Sequence, residues 1–323
     1  MILYLSDWQK FPDAEPDFQT KNITFLRLAR VYKAMGIKNY AFLLALMTPE
    51  LKGVDPHDPN LTDHQKYLIG RECKYNPWYF FREVLRIAVT GSDTGVPLIA
   101  NRGNIGLYWM FMNHIDVGLI QPRQTGKSIS VDGLMLWVTY VSGYRSKVMM
   151  MTKDDKLRAE NIDRLKEMRN LLPKYLIALS RDDADNQDML TYNRLRNKYL
   201  TSVSQGSEAA ANNSGRGFTA PILYNDEGPF QKFVKTALGA ALPGCNRARE
   251  QAALNNNPYG NVFTTTAGKK DTESGRFMYE MFHDGTVWTE AFYDAKNPKE
   301  LMELIITNRN NSTHLFIRSF WCN

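Results

Sequence analysis

The spacing of apolar residues changes about a third of the way along the chain. Before that point it is helical: Phe25, Leu28, Val31, Tyr32 and Met35 recur every three or four positions, predicting a helix over Thr24–Met35 with Gly36 as its stop. A second apolar stretch predicts a helix from Asn39 to Met47. The run Asp55-Pro56-His57-Asp58-Pro59-Asn60 is turn chemistry and a candidate boundary, and Thr62 followed by Gln65 has capping-box spacing, so a helix is expected to start there. After Gly91 short apolar runs alternate with helical segments. Strands are expected at Val117–Ile120, Lys147–Met151, Leu195–Val203, Ile222–Asn225 and Val262–Thr265, with helices at Ser128–Tyr140, Asp155–Leu172 and Phe233–Leu242. Apolar strands separated by helices predict an α/β fold, a mostly parallel sheet covered on both faces. The expected division is a helical, lid-like N-terminal region over 1–95 and a core over 96–323.

Composition narrows the class. The chain has 323 residues, 43% hydrophobic and 23% charged, which excludes a disordered tail, a collagen-like fibre and a disulfide miniprotein. The longest apolar run, Tyr40 to Met47, is 8 residues, against about 18 for a membrane span, and the first residues lack the pattern of a secretory signal. Cys73, Cys245 and Cys322 are widely separated, which predicts reduced thiols in a cytoplasmic protein. Forty basic against 34 acidic residues give +6, a mild excess that suits a nucleic-acid partner without requiring one.

The strongest chemical signal is Gln121-Pro122-Arg123-Gln124-Thr125-Gly126-Lys127-Ser128, placed after an apolar strand and before a helix. A bound triphosphate needs backbone N–H groups and a helix N-terminus aimed at it, a lysine for the β and γ oxygens, and a hydroxyl for Mg²⁺. Gly126, Lys127 and Ser128 supply the last parts, although Gln121 stands where the general pattern has its first glycine. Arg123 is either a solvated turn residue or a charge able to stabilise the γ-phosphate. Downstream, the apolar run Ile222–Asn225 ends in Asp226-Glu227. Two acids at a strand end are a common solvated turn; following a lysine loop in this order, they read as a metal-holding Asp226 and a water-activating Glu227. Ala211–Gly217 reads as a flexible glycine-rich loop carrying Arg216, and Thr264-Thr265-Thr266 ends another strand, where the ligand crevice of a parallel sheet lies.

In this order the elements resemble the ATPase domain of the large terminase subunit of tailed bacteriophages, over about residues 98–270. That family's phosphate loop lacks the first glycine and carries arginine and glutamine before Gly-Lys-Ser, as Arg123 to Ser128 does. Its Arg-Gly before the acidic strand matches Arg216-Gly217, its Asp-Glu matches Asp226-Glu227, and its coupling motif matches Thr264 to Thr266. The resemblance implies a P-loop ATPase core that binds ATP and Mg²⁺. It implies Lys127, Arg123 and Glu227 as catalytic residues, Gln121 to Ser128 around the nucleotide, Ser128 and Asp226 on the metal, and Arg216 as a possible arginine acting in trans. Asn104 stands where the family places an adenine-reading glutamine. The implied partners are double-stranded DNA, a portal protein, a small terminase subunit and, in an assembled ring, further copies of the chain, in the cytoplasm of an infected bacterium. The family's RNase H-like nuclease has no counterpart before Asn323, so that domain is expected to be absent from this chain.

Two other readings stay open: a helicase-like P-loop motor, and a nucleotide-binding scaffold without turnover, against which Glu227 speaks. Other signals read as structural. Asp182, Asp183, Asp185 and Asp188 do not fit a calcium loop, Trp78-Tyr79-Phe80-Phe81 reads as core, and Lys153 to Lys156 as a helix start.

Overall fold

The computed structural model describes residues 1–217 and 219–309 and the backbone of strand 316–320; Cys322 lies outside the described residues. The N-terminal apolar repeat forms α1 (Ile23–Ala34), whose N-terminus is capped by the Asn22 side chain accepting from the Thr24 N–H and which ends before Gly36 at φ 85°. The second helix expected, over Asn39–Met47, does not form. Phe42–Leu44 makes one 3₁₀ turn, and Ala45–Leu46 pairs antiparallel with Glu15–Pro16. Phe42 to Leu46 is buried on every side, so the run is apolar throughout for burial and carries no helical period. The capping box forms as expected, Thr62 and Gln65 opening α2 (Asp63–Tyr75).

The rest of the chain alternates strands and helices: α3 (Arg102–Met112), β1 (Asp116–Ile120), α4 (Lys127–Trp137), β2 (Lys147–Thr152), α5 (Asp155–Asn170), the hairpin β3 (Met189–Tyr192) and β4 (Asn197–Val203), α6 (Glu208–Arg216), β5 (Ile222–Asp226), α7 (Val234–Leu254), β6 (Gly260–Thr265), α8 (Glu273–Asp284), β7 (Thr286–Val287), α9 (Pro298–Asn308) and β8 (Phe316–Phe320). The strands form one sheet in the order β7-β8-β1-β6-β5-β2-β4-β3, parallel except at the β3–β4 hairpin. The expected parallel α/β sheet is present, with β3, β7 and β8 added. The first two are four and two residues long, and the hairpin strand alternates too briefly to stand out. α7 also runs well past Leu242, through Pro243.

Alternation along the central strands sorts side chains into two cores. Val148, Met150, Ile222, Tyr224 and Val262 face a large core shared with α3, α4 and the N-terminal segment, while Met149, Met151, Leu223 and Phe263 face a smaller one under α6 and α7. Trp78, Tyr79, Phe80 and Phe81 are all buried in the larger core, as expected. The residues expected to form a flexible loop, Ala211–Gly217, are instead most of α6. Ser207 caps it, and its small residues serve packing: a Cβ on Gly215 would lie 2.5 Å from the Ala237 carbonyl oxygen and 2.7 Å from the Ala240 Cβ.

The α6–α7 crossing therefore depends on Gly215. Gly215→Ala is expected to destabilise the protein by about 1–3 kcal/mol through overpacking, read as a lower denaturant midpoint at an unchanged slope. An unchanged midpoint would mean that the helices do not approach this closely.

Candidate functional site

Strand register assembles the site. β6 lies between β1 and β5, pairing Thr264 with Leu119 on one side and with Asp226 on the other. The loop after β1, the threonines ending β6 and the acids ending β5 thus meet at one edge of the sheet. The Gln121 N–H donates to the Thr265 carbonyl (3.2 Å), and the chain then leaves the sheet. Gln124 at φ 64° and Gly126 at φ 77° turn the loop back into the first residue of α4. Left-handed residues in such a loop aim backbone N–H groups inward and make an anion-binding concavity. The Thr125 hydroxyl closes the loop on the Pro122 carbonyl (2.9 Å), and the Ser130 hydroxyl on the Gly126 carbonyl (2.8 Å).

Lys127 is buried, and its ammonium stands 3.0 Å from Glu227 Oε1 and 3.6 Å from Asp226 Oδ1. Adjacent residues of a strand point to opposite faces. Glu227 converges with Asp226 because its own backbone is left-handed, at φ 58°, ψ 41°, a conformation costing a non-glycine residue about 1–3 kcal/mol. The turn is held by the Glu227 N–H donating to the Thr264 carbonyl (2.8 Å). Glu227 Oε2 also accepts from the Thr265 hydroxyl (3.2 Å), the Thr266 N–H (3.3 Å) and the Thr266 hydroxyl (3.2 Å). Burial alone would raise the Glu227 pKa. The Lys127 charge and the hydrogen bonds from Lys127 and Thr266 outweigh it and hold the carboxyl below its ordinary range.

Asp226 is fully buried. Its Oδ1 accepts from the Thr264 hydroxyl (2.7 Å) and its Oδ2 from the Asn161 amide (3.3 Å). Behind it lies a chain of contacts that the sequence did not announce. Arg164 on α5 donates to the Asn161 oxygen and, at 2.5 Å, to Asp132 on α4, which has no solvent exposure. Asp132 is the one acid of α4, set between Val131 and the run Gly133-Leu134-Met135-Leu136-Trp137, and that mismatch was the available signal. Two carboxylates against one ammonium leave surplus negative charge at the end of β5. The Ser128 hydroxyl in the first turn of α4 adds another hard oxygen donor, so the donor set fits a magnesium ion.

The other expected residues divide. Arg123 is exposed and lines, with Glu227, Lys153 and Lys156, a cleft of about 360 Å³ between the loop and the start of α5. Arg216 is exposed at the last turn of α6. Two of the expected residues also make structural contacts. Asn104 is buried in the capping box of α3, its amide donating to the Ile99 carbonyl (2.8 Å) and its oxygen accepting from the Asn101 N–H (2.9 Å). Gln121 is in the loop, its side-chain oxygen 3.2 Å from the Thr125 hydroxyl and its amide nitrogen packed against α3, where a Cβ on Gly103 would lie 2.2 Å from it. The acids set aside as structural are so placed: Asp185 pairs with Arg169 (2.9 Å), Asp188 with Arg158 (2.6 Å), and Asp154 caps α5.

Two predictions follow from these charges. Arg164→Leu strands Asp132 as a buried, unpaired carboxylate and is expected to cost about 3–5 kcal/mol, much of which Asp132→Leu in the same protein restores; equal losses in the single and double variants would contradict the pairing. Because the folded-state pKa of Glu227 is depressed, its contribution is complete above the unfolded value of about 4.3 and is lost as pH falls through the folded value. Glu227→Gln should therefore lose less stability than the wild type between about pH 5 and about pH 3, read from denaturant midpoints; parallel losses would show that the carboxylate is not held in this way.

No family model matches the sequence, and no curated protein matches it either. Among solved structures the chain is similar in fold to the large terminase of bacteriophage HK97, with TM-score 0.43 and 13% identity over 65% of this chain and 40% of that one. It is likewise similar to the ATPase domain of the Thermus phage P74-26 large terminase, with TM-score 0.43 and 11% identity over 76% and 85% of the two chains. A third is the UvsW helicase of bacteriophage T4, with TM-score 0.38 and 12% identity over 83% and 96%. The chain thus spans two fifths of the HK97 protein it resembles. Structural neighbours of this mostly parallel, helix-flanked sheet are large terminase ATPase domains and helicases.

Proposed function

We propose that the chain is an ATP-hydrolysing motor, the ATPase part of a large terminase subunit, which drives double-stranded viral DNA into a procapsid. The observation that carries this reading is the convergence of Lys127, Asp226 and Glu227 at the mouth of the loop, with the Lys127 ammonium 3.0 Å from Glu227 and 3.6 Å from Asp226. Backbone N–H groups of Gln124 to Lys127 cradle the phosphates, and Lys127 neutralises the β and γ oxygens. Ser128 and Asp226 would hold Mg²⁺, which supplies charge neutralisation for the departing phosphate.

Glu227 orients the attacking water and accepts its proton. The water oxygen bonds to the γ-phosphorus, the bond to the β-bridging oxygen breaks, and ADP and phosphate leave. The Lys127 charge that depresses the Glu227 pKa would be drawn to the phosphates when nucleotide binds, which leaves the carboxylate a stronger base. Arg123 reaches the same nucleotide from the loop, whereas Arg216 acts on a neighbour's site when copies assemble. Thr265 and Thr266 bind the carboxylate oxygen that Lys127 does not, so a change at the γ-phosphate passes into β6. Coupling of that strand to DNA movement, with a portal protein and a small terminase subunit as partners, completes the proposal.

Lys127→Ala is expected to abolish measurable ATP turnover and weaken nucleotide binding. Glu227→Gln is expected to bind ATP normally and lose turnover by about a hundredfold to ten-thousandfold, the usual worth of a general base. Phosphate release and ATP titration on the folded variants check both, and near-normal turnover in either would sink the assignment.

A further inference from the structure

A large cleft lies away from the phosphate loop. It holds about 1010 Å³ and is lined by His114, Tyr144 and Tyr259, each within three residues before β1, β2 and β6 respectively. It therefore lies at the N-terminal edge of the parallel sheet, opposite the loop. A second cleft, of about 540 Å³, includes Arg194 and Leu195 from the β3–β4 turn, just ahead of β4. The two meet at α2, where Arg71, Lys74 and Tyr75 on its last turns line both.

The outward face of α2 is built from two adjacent rows of side chains four residues apart, Lys66–Gly70–Lys74 and Tyr67–Arg71–Tyr75. Residues at that spacing lie one above another. Leu68, Ile69, Glu72 and Cys73 are buried beneath them, so the rows are not required for the core. Tyr67 and Tyr75 are 66% and 58% exposed, values with no packing explanation. Arg71, Lys74 and Arg194 are exposed, and among the described residues none takes a carboxylate partner. No acid lines the second cleft. In the first, Glu72 is already spent on the Met47 N–H, the Thr48 hydroxyl and the Asn76 amide, each at 2.7 Å, which leaves Asp13.

We infer that α2 and the two clefts beside it form the surface that holds duplex DNA, with Arg71, Lys74 and Arg194 on its phosphates and Lys66, which pairs with the exposed Asp63 (3.1 Å), exchanging that partner for a fourth phosphate. The inference rests on the proposal that the chain is a DNA motor, and it names where the polymer lies. Charge complementarity selects a polyanion. The geometry selects a duplex over a single strand: Tyr67 and Tyr75 are two turns apart, about 12 Å along the helix, too far to stack neighbouring bases, while an exposed helix carrying Arg71 and Lys74 with a cleft on either side suits a groove about 12 Å wide bordered by two phosphate backbones. The tyrosine hydroxyls then donate to phosphate oxygens. The track lies at the edge of the sheet opposite the nucleotide, so force would pass along the strands.

The test is fluorescence anisotropy of the whole chain with a labelled 30-base-pair duplex and with one of its strands, without nucleotide, over a range of salt. The expected result is tighter binding of the duplex, with log affinity falling against log salt at a slope of about −4 for four phosphate contacts. The Arg71→Ala, Lys74→Ala, Arg194→Ala triple variant should lose at least about tenfold in affinity and about three units of that slope. Arg71→Lys with Lys74→Arg should retain both. Each variant's unfolding temperature and DNA-free ATP turnover are measured alongside and are expected to match the wild type. A folded triple variant that binds as the wild type does overturns the surface while leaving the motor reading intact. Preference for the single strand overturns the duplex assignment, and absence of DNA binding by the wild type, with turnover present, overturns the inference outright.

Discussion

The site depends on one buried ammonium shared by two consecutive carboxylates. In an extended strand Asp226 and Glu227 would point to opposite faces of the sheet. Both reach Lys127 only because the chain turns left-handed at Glu227. Strain of about 1–3 kcal/mol is offset there by a backbone hydrogen bond, an ion pair and three donors from Thr265 and Thr266. Those donors exist because β6 is inserted between the strand that leads into the loop and the strand that carries the acids. Sheet order thus sets the electrostatics of the site.

The same acids are tied to the helices. Asp226 is hydrogen-bonded by Asn161 on α5, and Arg164 on that helix reaches Asp132 on α4, the helix that begins with Lys127. Lysine and aspartate, on opposite sides of the phosphate site, are therefore fixed to one another by a buried polar bridge as well as by their direct contact. Such a bridge costs desolvation, and what it gives is a fixed distance between Lys127 and Asp226.

Much of this was legible in the sequence where local chemistry decides. The capping box at Thr62, the five central strands and the Gly-Lys-Ser start of α4 follow from spacing alone. Legibility failed where burial or tertiary contact overrode a local rule. Phe42 to Leu46 is apolar all round and does not form the expected helix. Gly215 looks like loop chemistry, yet it is the contact that lets two helices touch. Asn104 sits at a position that invites a ligand role, and its amide also closes a cap. Arg164 and Asn161 carry no motif, and only the fold reveals that they stand behind Asp226.

Under the proposed function, nucleotide chemistry lies at one edge of the sheet and the polymer at the other, joined by the strands. The most direct measurement is phosphate release by the purified chain with Mg²⁺ and ATP, with and without duplex DNA. The account predicts turnover that rises when duplex is added. A folded protein that neither binds ATP nor releases phosphate, with or without DNA, would contradict it.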